Sequence, residues 1–205
     1  MTELVRGLTP EQLQARTPAC PDWTVREVLS HLTGVTADVA AHRLEGAGQP
    51  SWSAAQVAAR QDKGVDELVA EWEQHAPAVE SQLDDWGQFG WILVWDVTMH
   101  DDDIRESAGL PFGASPTHTA VLDGLVARAG KTLTEAGLPA LAITAGERSW
   151  TAGEGEPAMS LAASDEGELA RVLGGRRSHD RMRAMAWTGD PEPYLPHLTL
   201  FPPGG

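Results

Sequence analysis

Apolar residues recur at intervals of three and four positions over most of residues 1–137, which is the pattern of α-helices that bury one face. The first long segment shows this pattern at Val28, Leu32, Val35 and Val39. We predict long helices over residues 24–45, 53–83, 91–108 and 115–137, the second of them broken near Gly64. Four long helices joined by loops predict a four-helix bundle.

A capping box marks the beginning of the first long helix. Thr24 is followed three positions later by Glu27, so each side chain can accept a hydrogen bond from the other residue's backbone N–H. The four residues directly before it, Cys20 to Trp23, are predicted to form a turn.

The pattern changes after Leu138 and Pro139. Short apolar runs at 141–144 and 159–162 predict strands around a glycine-rich turn, and residues 165–173 predict a short helix. Residues 178–187 are a candidate for another helix. We therefore predict an α+β chain with two domains, a helical bundle over 1–137 and a small α/β domain over 138–205.

Composition excludes several classes of protein. The chain has 205 residues, of which 41% are hydrophobic and eight are tryptophan, so it can bury a core. Its 30 acidic and 15 basic residues give a net charge of −15, which repels phosphate backbones and anionic lipids. We expect no nucleic-acid or membrane partner. The single cysteine, Cys20, excludes an internal disulfide framework and a cysteine-rich zinc site.

Localisation follows from two absences in the sequence. The first residues show no basic segment followed by an apolar stretch, and the apolar run at 91–95 is far too short to span a bilayer. We expect a cytoplasmic protein, either a monomer or a weak homodimer.

A histidine and an acid–histidine pair lie on helix faces that point inward. His31 shares the apolar face of the first long helix, and Asp96 and His100 are one turn apart on the third. A carboxylate and an imidazole at this spacing can hold one metal ion, with His31 as a third ligand and one position open. A satisfied core pair without a metal is the alternative. Of the acidic run that follows, Asp103 is expected to point inward and Asp101 and Asp102 outward.

Two signatures and a C-terminal segment occur in order along the chain. Residues 20–27 read Cys-Pro-Asp-Trp-Thr-Val-Arg-Glu and are followed by His31-Leu32. Residues 96–105 contain an acid, a histidine four positions later, and Asp-Ile-Arg after two more residues. Together with residues 167–178, these segments resemble the mycothiol-dependent maleylpyruvate isomerase family. Its members combine a DinB-like metal-binding four-helix bundle with a C-terminal domain of sterol-carrier-like fold.

The resemblance implies a divalent metal, most often zinc, and mycothiol as a thiol cosubstrate. The implied metal ligands are His31, Asp96 and His100. The family usually carries Glu where this chain has Asp96, which is one methylene shorter. We therefore expect either a weaker affinity for the metal or a metal other than zinc.

The implied reaction begins with a thiol that the metal deprotonates and positions as a nucleophile. Addition to a small electrophile and later loss of the thiolate gives cis–trans isomerisation, whereas retention gives thiol transfer. Because the chain is strongly acidic, an anionic substrate needs a local cation. Arg176 or Arg177 is our candidate for binding its carboxylate, and a pair of surface arginines is the alternative.

Two other functions remain open from the sequence. The metal could activate water, which would make the chain a hydrolase. Alternatively, the chain could have kept the fold and lost activity through Asp96, and could bind a small molecule without turnover. Cys20 and Trp23 are interpreted as packed residues.

Overall fold

The computed structural model describes residues 1–111 and 115–201. Within it the chain forms two compact units, Met1–Pro111 and Phe112–Gly205. The first is mainly helical and the second contains a sheet, so the mixed α+β class is confirmed. The division lies at Pro111, whereas the sequence analysis placed it after residue 137. The last four residues of the expected second domain, 202–205, lie outside the described part of the chain.

The first unit contains six helices and a short hairpin. The helices are α1 (Thr2–Arg6), α2 (Pro10–Gln14), α3 (Val25–Ala40), α4 (Pro50–Ala58), α5 (Val65–Glu80) and α6 (Gln88–Ser107). The hairpin strands are β1 (Arg16–Thr17) and β2 (Cys20–Thr24), which pair antiparallel. The predicted helix over 53–83 is therefore two helices, α4 and α5, and Gly64 is the residue before α5 begins.

Helix α3 lies at the centre of this unit. Its capping box is present as predicted, because Thr24 N–H donates to Glu27 Oε2 at 2.7 Å and Glu27 N–H donates to Thr24 Oγ1 at 3.2 Å. The hydrogen bond from the Thr24 backbone lowers the pKa of Glu27. The buried face of α3 packs against α5 and α6 in a core of Val25, Val28, Leu29, Leu32, Leu68, Val69 and Ile104.

The β1–β2 hairpin replaces the turn predicted for Cys20 to Trp23. Thr17 is fully buried, and its hydroxyl donates to the carbonyl oxygens of Cys20 and Trp23 at 2.8 and 2.9 Å. These bonds fix the strand that leads directly into α3. The sequence did not predict the hairpin because its partner strand has only two residues, too few to show an alternating pattern.

The second unit is built on a four-stranded sheet. Its elements are α7 (Pro116–Glu135), β3 (Leu141–Ala145), β4 (Arg148–Ala152), β5 (Met159–Ala163), α8 (Glu166–Leu173), α9 (His179–Arg183), β6 (Ala186–Trp187) and α10 (Leu195–Leu198). The strand order is β4-β3-β5-β6, with β3 and β5 parallel and the other pairs antiparallel. The predicted helix over 178–187 is the short α9 followed by β6.

Helix α7 packs against α8, α10 and β4, and contacts place it in the second unit. Its buried face is made by Val121, Leu122, Leu125, Val126, Ala129 and Leu133. The sequence analysis assigned this helix to the N-terminal domain. A periodic apolar face predicts that a helix is buried on one side, but it does not say which element covers that side. Among the described residues, no helix combines the length and the apolar character needed to cross a bilayer.

Candidate metal centre

The structure brings His31, Asp96 and His100 together. His31 lies in the middle of α3, and Asp96 and His100 are neighbours one turn apart on α6. His31 Nε2 is 3.7 Å from Asp96 Oδ2, and His100 Nε2 is 3.6 Å from Asp96 Oδ1. Both imidazoles are buried, and the carboxylate side chain retains 18% of its exposure. One donor atom from each of the three residues therefore lies within 4.8 Å of the other two.

These distances suit a single divalent cation. Four ligands at about 2.0–2.1 Å from a tetrahedral ion lie about 3.3 Å from one another. The distances of 3.6 and 3.7 Å, each to a different oxygen of Asp96, are close to that separation, and one donor atom from each residue lies within 4.8 Å of the others. Two imidazole nitrogens and a carboxylate oxygen are also a donor set that zinc accepts. Although the Asp96 side chain is short, one of its oxygens faces each histidine.

The other nitrogen of His100 is hydrogen-bonded to Asp103. His100 Nδ1 and Asp103 Oδ2 are 3.0 Å apart, and Asp103 is fully buried. An ionised Asp103 carboxylate can only accept, so it holds a proton on Nδ1, and in the neutral imidazole the Nε2 lone pair then faces Asp96. The inward direction predicted for Asp103 is confirmed. The outward direction predicted for Asp102 is wrong, because this residue is buried as well.

The other nitrogen of His31 contacts a residue that the sequence analysis did not single out. His31 Nδ1 lies 2.8 Å from Gln56 Oε1, and Gln56 is a buried residue of α4. The signal available in the sequence was Gly34, in the middle of α3. A Cβ atom there would lie 2.5 Å from Gln56 Cβ, so the glycine allows α4 to approach α3 closely.

Two residues of β2 lie beside the three candidate ligands. The Trp23 ring centroid is 5.0 Å from that of His31 and 6.4 Å from that of His100, so the indole packs on both imidazoles. Cys20 Sγ lies within 4.8 Å of donor atoms of His100 and Asp103. Both side chains were interpreted as packed residues, and both pack against the candidate metal centre.

Comparison with protein-family models gives one match that decides the family. Residues 1–109 match the model described as the mycothiol maleylpyruvate isomerase N-terminal domain, which covers more than half of the chain. The chain belongs to this family. The matched range nearly coincides with the first compact unit and contains His31, Asp96 and His100. The resemblance inferred from the two signatures is confirmed.

Two solved structures share the fold of this family member. One is a crystal structure of the mycothiol-dependent maleylpyruvate isomerase, with a TM-score of 0.53 and 11% sequence identity. The other is a mutant of such an isomerase, with a TM-score of 0.56 and 10% identity. Each match covers 91% of this chain and 86% of the solved chain. At these identities the likeness establishes the fold alone. A search of curated protein sequences finds no match.

The two arginines considered for substrate binding lie in the second unit of this family member. Both are buried, at 9% exposure for Arg176 and 3% for Arg177, so the alternative of a surface arginine pair is wrong. Arg177 donates to both oxygens of Glu168, from Nε at 2.9 Å and from Nη2 at 2.8 Å. Burial opposes ionisation of Glu168, but the hydrogen bond and charge of Arg177 outweigh it and lower the pKa of that carboxyl. Arg176 Nη1 donates to the Gly174 carbonyl at 3.4 Å.

Proposed function

We propose that this chain is a metal-dependent enzyme that uses the thiol of mycothiol to attack a small electrophilic substrate. The observation that carries the proposal is the convergence of His31 Nε2, His100 Nε2 and the Asp96 carboxylate within a family named for a mycothiol-dependent isomerase. The two solved structures of similar fold are isomerases of that kind. Zinc is the metal we expect from the donor set.

The three candidate ligands have distinct parts in this proposal. His31 and His100 would each bind the metal through Nε2, and Asp96 would contribute a negative charge between them. Asp103 holds the proton of His100 on the nitrogen that faces away from Asp96. A bound divalent ion would lower the pKa of a coordinated thiol and hold it as a thiolate. Trp23 packs on both imidazoles and restricts their rotation.

The carbon chemistry can end in two ways. Addition of a thiolate to a conjugated double bond forms a C–S bond and leaves a single bond, about which the substrate can rotate. Loss of the same thiolate restores the double bond in the other geometry, and the net result is isomerisation. If the adduct instead takes up a proton and the C–S bond persists, the result is thiol transfer.

Metal analysis and cobalt spectroscopy test the proposal. We expect the purified protein to bind one divalent ion, and the spectrum of the cobalt form to change when mycothiol is added. His31→Asn and His100→Asn should each weaken binding at least tenfold. His75→Asn, a histidine of α5 outside the cluster, is the matched control and should bind normally.

The alternatives give different results in the same experiments. Absence of a bindable ion, or identical binding by His31→Asn and His75→Asn, would contradict the proposed metal site. Turnover without any thiol, combined with an unchanged cobalt spectrum on adding mycothiol, would favour a hydrolase. Binding of small molecules with no turnover under either condition would favour a binding protein.

Binding of a substrate carboxylate by Arg176 or Arg177 stays a proposal of its own. Arg177 donates to both oxygens of Glu168, and Arg176 donates to the Gly174 carbonyl. We expect Arg176→Lys to raise KM for a carboxylate substrate more than for its methyl ester. Equal changes for the acid and the ester would contradict this role.

A further inference from the structure

Four side chains, ending with His31, form a continuous hydrogen-bonded network that begins at the protein surface. Arg43 donates to Asp38 Oδ1 at 2.9 Å from Nη2. Gln56 Nε2 donates to Asp38 Oδ2 at 2.9 Å, and Gln56 Oε1 lies 2.8 Å from His31 Nδ1. The network connects α3 to α4 and ends at His31, a candidate metal ligand.

The chemistry of these groups fixes the direction of each hydrogen bond. The Asp38 carboxylate can only accept, so the Gln56 amide must turn its NH₂ group toward Asp38 and its oxygen toward His31. An amide oxygen also only accepts, so His31 must donate from Nδ1. In the neutral imidazole the proton is then absent from Nε2, and the lone pair of that nitrogen faces Asp96.

Burial and the hydrogen-bond partners of Gln56 oppose turning its amide over. Gln56 is 3% exposed, and its Cβ and Cγ atoms sit against Gly34, where there is no side chain. Arg60 Nη1 donates to the Gln56 backbone oxygen at 3.1 Å, and the same guanidinium pairs with Glu71 of α5. Rotation of the amide would place its oxygen against the Asp38 carboxylate inside the protein, which is costly.

We propose that Gln56 is a positioning residue that holds His31 in the tautomer able to bind a metal. The competing tautomer carries its proton on Nε2, which is 3.7 Å from Asp96 Oδ2 and would donate to it after a small side-chain movement. That internal hydrogen bond would occupy both groups and close the metal site. Gln56 opposes it by giving Nδ1–H a buried acceptor. The inference rests on the proposed function only as far as His31 is a metal ligand.

The tautomer can be measured in the metal-free protein by long-range ¹H–¹⁵N correlation spectra of the histidine rings, recorded where imidazole is neutral. We expect wild-type His31 to carry its proton on Nδ1. Gln56→Met, which preserves length and removes the acceptor, should shift the population toward Nε2–H. A wild-type ring protonated on Nε2 overturns the proposal without the need for any variant.

Metal affinity provides the second measurement, with cobalt(II) or zinc as the probe. Gln56→Met should bind the metal about 10- to 100-fold more weakly, the range typical for residues that orient a metal ligand. Thr33→Val is the matched control, because Thr33 is buried on the same helix and donates to the Leu68 carbonyl at 3.4 Å without contacting His31. It should lose stability and keep its affinity.

A swapped pair tests the direction of the hydrogen bonds. In the double variant Asp38→Asn with Gln56→Glu, the new amide donates to the new carboxylate, whose second oxygen can still accept from His31 Nδ1. We expect this pair to restore the Nδ1–H tautomer and most of the affinity.

Three results would overturn the proposal. Gln56→Met could lose metal affinity without a change of tautomer, or change the tautomer without losing affinity. Thr33→Val could also lose as much affinity as Gln56→Met. If wild type binds no metal, the proposed function fails, and the tautomer measurements alone decide this inference.

Discussion

Asp96 lies within 3.7 Å of His31 although 65 positions separate the two residues in the chain. The packing of α3 against α6 creates this contact. His100 lies one turn further along α6 and brings a second imidazole beside Asp96. Within the described residues, the two groups that could hold a metal ion both contain His100. The group with His31 and Asp96 has the donor set that the proposed chemistry requires.

Removal of the Asp96 charge should weaken metal binding strongly. Asp96→Asn keeps the size of the side chain and removes an anionic ligand, so we expect a loss on the order of 100-fold in affinity. Titration calorimetry with cobalt(II) measures it. Asp101→Asn is the control, because Asp101 lies on the same helix and pairs with Arg105 at 2.6 Å. Similar affinities for the two variants would exclude Asp96 as a ligand.

Loss of the acceptor behind His100 should have a smaller effect than loss of a ligand. Asp103→Ala removes the group that holds Nδ1–H, and we expect about 10- to 100-fold weaker metal binding. Asp103→Asn retains an oxygen that can accept the same hydrogen bond, so it should recover part of the affinity. An Asn variant that binds no better than the Ala variant would point to the charge of Asp103 rather than its hydrogen bond.

A methyl group at Gly34 should disturb both stability and the metal site. Its Cβ would lie 2.5 Å from Gln56 Cβ and 2.9 Å from Arg60 Nη1, so α4 must move away from α3. We expect Gly34→Ala to cost about 1–3 kcal/mol of unfolding free energy, as is typical of overpacking. Urea denaturation measures this cost. Gly7→Ala, where the new Cβ would have only ordinary contacts, should cost far less.

Stability of the second unit should fall at acidic pH through Glu168. Its folded-state pKa lies below its ordinary value of 4.5, because the Arg177 pairing outweighs burial. Because the pKa of Glu168 is lower in the folded state, its stabilisation is complete at pH values above the pKa of the unfolded state. The stabilisation is then lost as the pH falls through the pKa of the folded state. Glu168→Gln should lower the free energy of unfolding at neutral pH by about 2 kcal/mol and flatten its decrease below pH 4.5.

Thermal or denaturant unfolding at several pH values measures this dependence. Glu192→Gln is the control, since its pKa is also lowered by an arginine, Arg183, but the pair is exposed. Exposed pairs contribute little to stability, so this variant should follow the wild-type curve closely. An unchanged pH dependence in Glu168→Gln would show that other carboxylates cause the acid sensitivity.

The sequence by itself determined the elements with strong local signals. The Thr24–Glu27 capping box and the three- and four-residue apolar spacing are read from neighbouring residues, and both appear in the structure. The same spacing placed Asp96 and His100 on one helix face, one turn apart. The inward direction of Asp103 followed from this register as well. These features depend on local hydrogen bonding and on helical geometry, which a sequence records directly.

Only the tertiary structure decided which surfaces meet. It assigned α7 to the second unit, converted Cys20 to Thr24 into a strand, and buried Arg176 and Arg177. It also placed Gln56 against His31 from a separate helix. Such contacts join residues far apart in the chain, and they depend on the combined packing of all the helices. A local pattern shows that a face is buried, and the fold alone determines what lies against it.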